Sequence, residues 1–173
     1  MLMTPAASRA PQAPLPLSAA AEAPAAPTLP IETRYGRIEV SCDAIIGMPN
    51  GILGFAGHSS FALIDLPDGR LGQFRLLQSL QDPDLSFLVM PLDPGSGAID
   101  RADLDEARRA AGAAAEDAAF LLIVTLRKEK DGIRVTANLR APIVLDKARR
   151  IAGQYVLSNN RYSIRHALQQ PAA

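Results

Sequence analysis

Tryptophan is absent from this chain, cysteine occurs once, at Cys42, and histidine twice, at His58 and His166. One thiol excludes an internal disulfide framework, and so few sulfur and imidazole groups leave no zinc-ligand spacing. A reducing, cytoplasmic setting fits that usage. No apolar run approaches the roughly 18 to 20 residues that a membrane span needs; the longest, Ala118 to Val124, is strand-sized. No cationic start precedes an apolar stretch at the amino terminus, and prolines interrupt it, so a secretory signal is not expected. A Gly-Lys-Ser/Thr element for a phosphate loop is missing, and Gly95-Ser96-Gly97 lacks the third glycine and the strand–helix context of a dinucleotide site.

An excess of one charge is missing too. Lys+Arg and Asp+Glu stand at 18 each, so no global field draws the chain to nucleic acid or to an anionic membrane. The balance conceals an asymmetry. Between Glu32 and Phe120 there are 7 basic and 14 acidic residues, and from Leu121 onward 10 basic and 3 acidic. That division suits a protein with different faces for different partners, unless strands from both halves interleave and mix the charges.

What is present begins with a low-complexity leader. The first 30 residues hold 10 Ala and 7 Pro with almost no charge, and each proline removes a backbone donor and blocks helix propagation. Residues 1–30 are therefore expected to be disordered, 31–168 to form the domain, and 169–173 to be a short tail. At 173 residues with 48% apolar content the chain has room for one domain with a real core.

From Ile31 the text turns to short strand-like runs. Arg37 to Ser41 alternates polar and apolar; Ile46 to Phe55 reads as a loop rich in glycine; Phe61 to Leu66, Phe74 to Leu80 and Leu85 to Met90 read as strands. Pro67-Asp68-Gly69 and Asp82-Pro83-Asp84 are turn signals between them. Ala102 to Ala111 is the one convincing helix, with Asp100 as cap, acids in its first turn, Arg108 and Arg109 near its end and Gly112 as its stop. Strands follow at Ala118 to Lys128, at Ile133 to Leu139 after the Asp131-Gly132 turn, at Ile143 to Leu145 and at Ala152 to Leu157. Seven or eight short strands predict a mainly β protein, a small antiparallel β-barrel-like domain with one or two short helices.

Candidate chemistry is thin. Cys42 at a strand end reads as a small buried thiol, His58 as a solvent-exposed loop residue, and His166 as a packing or partner-contact residue. Asp82 and Asp84 can act as acid and base. An Asp-Pro-Asp turn that satisfies its own backbone weighs more heavily, and two carboxylates on a rigid exposed loop also make a contact for a basic partner. Phe55, Phe61, Phe74 and Phe87 read as core. No catalytic, metal-binding or cofactor-binding set emerges.

Four stretches together resemble the FliW family of flagellar assembly factors: Met48 to Phe55, Leu77 to Phe87, Thr136 to Val144, and Tyr162 to His166. The chain departs from that family's pattern at Leu53, Ser163 and Ala167, where prolines are common, and in its neutrality where relatives are acidic. The resemblance implies a monomeric, cytoplasmic, non-catalytic β-barrel without cofactors, membrane contact or direct nucleic-acid contact. It further implies two protein partners, flagellin before its export and the translational regulator CsrA, whose repression of flagellin mRNA is relieved. A carboxylate face including Asp82 and Asp84 would steer basic CsrA. Arg140, Arg165 and His166 are candidates for a second contact region or for locking the tail onto the barrel. The competing reading is a nucleic-acid-binding barrel using the basic carboxyl-terminal half, which would ordinarily interleave aromatics; after Leu121 only Tyr155 and Tyr162 are available.

Overall fold

The computed structural model describes residues 26–66, 72–130 and 132–168. Eleven strands and one helix occur among them: β1 (Thr28–Thr33), β2 (Gly36–Ser41), β3 (Ile45–Gly47), β4 (Ser60–Asp65), β5 (Arg75–Ser79), β6 (Ser86–Leu92), α1 (Arg101–Ala110), β7 (Ala118–Glu129), β8 (Gly132–Ala137), β9 (Ile143–Asp146), β10 (Ile151–Gln154) and β11 (His166–Ala167). Residues 1–25, the Pro67-Asp68-Gly69 turn, Asp131 and the 169–173 tail lie outside the described residues.

Seven strands close a barrel in the order β7-β6-β5-β4-β3-β10-β9, and β9 returns to β7. Closure works because β7 is 12 residues long and divides one edge between two neighbours. Its first part, Ala118 to Leu121, pairs with β9, and its second, Val124 to Glu129, pairs with β8. The barrel is antiparallel except where β10 runs parallel to β3, at the Ile151–Gly47 position. That seam is held by Arg150. Its carbonyl accepts from Gly47 N at 2.9 Å, and its guanidinium pairs with Asp43 and donates to Cys42 O at 3.4 Å. To serve both contacts Arg150 sits at φ 53, a left-handed conformation costly for any side chain.

Alternation along the strands sorts the core. The barrel interior takes Ile46, Phe61, Leu77, Val89, Leu121, Ile143 and Ala152, one side chain from each of the seven strands. Outward residues of β6 to β9, including Leu92, Leu122, Val124, Val135 and Val144, meet Leu104 and Ala107 of α1. This is why the β7 run Phe120 to Val124 is apolar on both faces: helix covers one and barrel fills the other. The β1–β2 hairpin covers the outside of β4, placing Ile31 and Val40 on Ala62.

Several expectations shift. The strand at Thr28–Thr33 begins inside the proline-rich text, tolerated because β1 pairs only with β2 and so sits at a sheet edge. The helix lies one residue earlier than expected and ends as foreseen at Gly112, φ 66. Gly112 N reaches Arg109 O and Ala113 N reaches Arg108 O, a Schellman closure. Asp100 occupies the cap position without a side-chain cap bond; its carboxylate pairs with Arg161 instead. Cys42 is half-buried in a 3-10 turn, not fully buried at a strand end. The strand expected to reach Leu139 stops at Ala137, because Asn138 Oδ1 turns back to accept from Arg140 N at 3.0 Å and Ala141 N at 3.2 Å.

Phe61→Ala, which empties the barrel interior, should lower unfolding free energy by about 3–5 kcal/mol in urea titration. Arg150→Gly should exceed Arg150→Ala in stability by about 1 kcal/mol, because both lose the Asp43 pair and only glycine is relieved of strain.

Candidate functional site

The mouth of the barrel reached by the end of β3 and the start of β4 gathers most of the unusual sequence. A glycine loop joins these strands, residues 48–59, and folds back into the barrel. Met48 and Ile52 are buried against the interior and plug the opening. Gly51 N donates to Met48 O at 2.8 Å, and Phe55 N to Ile52 O at 2.6 Å. Gly51 has φ 62, and a Cβ there would meet Phe55 O at 2.4 Å and Ala56 Cα at 2.8 Å, so only glycine fits. The plug leaves Leu53, 57% exposed, and Phe55, 40% exposed, facing outward. Phe55 was expected in the core; its ring lies instead on the outer side of the loop, edge-on to half-buried Phe87 at 5.2 Å.

Beside this loop stands the Asp-Pro-Asp turn between β5 and β6. Asp82 Oδ1 accepts from Asp84 N at 2.9 Å, so one carboxylate satisfies the turn and the other, on exposed Asp84, does not. Beneath it lies Gln78, fully buried, with Nε2 within 3.0–3.3 Å of the carbonyls of Ser79, Asp82, Pro83 and Leu85. Its Oε1 is buried without a partner among the described residues, a cost accepted for a donor that holds the turn from inside. From outside, Arg34 at the tip of the β1–β2 hairpin donates its backbone N–H to Pro83 O and Nη2 to Asp84 O, both at 2.9 Å. That guanidinium beside the turn weakens the negative field of Asp82 and Asp84.

Side-chain amides tie loop and turn together. Gln81 Oε1 accepts from Ser59 N at 2.7 Å and Ser60 N at 3.1 Å. Ser79 Oγ accepts from Gln81 N and Asp82 N, so its proton goes to His58 Nδ1, 3.1 Å away. His58 is half-buried in this bond and not simply solvated. Further round the mouth, Gln154 accepts from Leu53 N at 3.1 Å and donates to Ala141 O at 3.0 Å. Leu139 N then reaches Ser163 O at 3.0 Å in the tail.

Arg140 bonds the segment that leads into the tail. Its Nε donates to Leu157 O at 3.3 Å, and Nη2 bonds Asn160 Oδ1. His166 pairs by backbone with Ala137 while its side chain is exposed, and Arg165 is exposed with no side-chain partner among the described residues. The tail is also pinned to α1. Buried Tyr162 accepts from Asp100 N at 3.0 Å and donates to Asp103, with Arg161 stacked on its ring at 4.9 Å. Hydrogen bonds to Tyr162 and Asp100 raise the Arg161 guanidinium above its already high ordinary value.

The mouth thus joins all four stretches singled out in the sequence, which lie up to 118 positions apart between Met48 and His166. A family model described as FliW protein matches residues 30–168. The chain belongs to the FliW family. A FliW from Geotalea uraniireducens (strain Rf4) is 37% identical over 135 residues, covering 78% of this chain and 80% of that protein. A FliW from Oceanobacillus iheyensis is 31% identical over 143 residues, covering 82% and 95%. The fold is similar to a crystal structure of the flagellar assembly factor FliW, with TM-score 0.64 and 30% identity over 80% of this chain and 95% of that one. The sequence did not reveal the bracing contacts made by Gln78, Gln81, Gln154 and Arg34. Gln78 and Gln81 lie within the Leu77 to Phe87 stretch and Gln154 outside all four, and nothing in their spacing distinguishes a buried brace from a surface amide.

Gly51→Ala should destabilise the chain by about 2–5 kcal/mol, combining left-handed strain with a backbone clash. Gly54→Ala, at φ 87 with open space around its Cβ, should cost only about 1–2 kcal/mol. Paired urea titrations measure the difference.

Proposed function

We propose that this FliW-family chain is a cytoplasmic, non-catalytic binding protein. It takes up flagellin before export and binds CsrA when flagellin is scarce, relieving repression of flagellin translation. The observation that carries this reading is the braced mouth. There, exposed Leu53 and Phe55 stand beside Asp82 and Asp84 on one hydrogen-bonded platform. Outward apolar side chains suit the apolar ridge of an amphipathic flagellin helix. The carboxylates suit a basic RNA-binding regulator. Arg165 and His166 lie on exposed surface in the neighbouring tail and form the candidate second contact region, whereas Arg140 serves the fold. Among the described residues no group of three or more His, Cys, Asp or Glu side chains could hold a metal, and no helix is long and apolar enough to cross a membrane.

Two binding equilibria that exclude each other are enough for such a switch, and no reactive group is needed. Because Arg34 offsets part of the turn's charge, steering of CsrA depends on a local pair of carboxylates and not on a broad acidic field.

The double substitution Asp82→Lys with Asp84→Lys should weaken binding of purified CsrA by about tenfold or more at low salt, with the effect shrinking as salt rises. Capture of purified flagellin should stay within about twofold. Calorimetric titration of both partners tests this: equal losses, or none, would detach the turn from CsrA.

A further inference from the structure

Past Val124, β7 leaves β6 and β9 behind; β11 lines the outer edge of β8 as far as Thr136, and beyond it β7 and β8 continue as a two-stranded arm. Register sorts its two faces. Leu126, Lys128, Ile133 and Val135 share one face, continuous with the buried Val124–Ala137 pair beneath; Arg127 and Arg134 stand opposite each other on the second. Leu126 is 45% exposed and Ile133 56% exposed. A solvated ribbon gains nothing from presenting β-branched and aliphatic side chains outward, since two strands alone bury too little to hold their shape. Leu126 and Ile133 instead line a shallow concavity rimmed by Lys128 and Lys130, with Glu129 and Gly132 completing it.

We propose that this face of the β7–β8 arm docks an amphipathic helix of a protein partner, its apolar ridge flanked by carboxylates. The apolar floor receives side chains spaced one helical turn apart, and Lys128 and Lys130 pair with the flanking acids. From Leu126 to Lys130 the arm runs about 13 Å, room for two to three helical turns of about 5.4 Å. Glu129, at the edge of the concavity, is paired with Arg134 at 2.6 Å, which reduces the negative charge it presents to an acidic partner. A helix fits better than nucleic acid or a bilayer. The arm carries no aromatic side chain on which bases could stack, and its sequence interrupts the cations with Glu129 and Asp131. This surface differs in charge from the Asp82–Asp84 turn and stands independently of the reading above.

The probe is a labelled synthetic helix of about 16 residues with leucines at one-turn spacing flanked by glutamates. Its control carries lysines in place of the glutamates. By fluorescence anisotropy the full chain should bind the glutamate peptide about tenfold more tightly than the lysine peptide. Leu126→Ser with Ile133→Ser should weaken that binding at least about fivefold. Lys128→Glu with Lys130→Glu should reverse the preference, and unchanged thermal unfolding will show that these surface variants are folded. Equal affinity for both peptides, no binding of either, or unaltered binding by the variants would overturn the proposal. So would tighter binding to phosphatidylserine vesicles or a single-stranded RNA oligomer, or arm-dependent self-association in size-exclusion light scattering.

Discussion

The return of β9 to the edge of β7 is the constraint on which the remaining architecture depends. Without it the sheet would be an open ribbon with two exposed edges and a half-filled face. With it, seven strands each commit one side chain to a common interior, and the sheet acquires an inside, an outside and two ends. The outside must then be covered wherever it is apolar, which gives α1 and the β1–β2 hairpin their places. The length of β7 makes this possible, since one strand serves as the closing edge in its first half and as the root of a free arm in its second.

At the mouth, closure alone would leave loop backbones unsatisfied. Three glutamines meet that need: Gln78 from beneath the turn, Gln81 between turn and glycine loop, and Gln154 between glycine loop and the segment after β8. Gln81 and Gln154 each use donor and acceptor together, bracing backbone segments that no ladder joins, while Gln78 acts through its donor alone. A mouth fixed in this way would lose little conformational entropy on binding the partners proposed for it, which favours recognition by a preformed surface.

The charge asymmetry along the chain is partly dissolved by folding. Arg150 meets Asp43, and Arg161 meets Asp100 and Asp103, each pair joining the basic half to the acidic one. What survives is local: a carboxylate turn tempered by Arg34 at the mouth and a basic arm at the end of β7. Two surfaces of opposite sign on one small barrel would let the proposed partners be met separately without a strong overall field.

Composition and period alone were enough for a succession of short strands with one helix and its Gly112 stop, because these depend on interactions within a few residues. Motif stretches at Met48, Leu77, Thr136 and Tyr162 were legible as belonging together, since their order survives in the chain. Their meeting at one mouth was not, and neither were the parallel seam at Arg150, the outward ring of Phe55, the strand across Pro30, nor Asp100 turned from its helix to Arg161. Each of these is settled between residues far apart in sequence. Local propensity describes what a segment can do, and only the neighbours brought by barrel closure decide which of those options lowers the free energy.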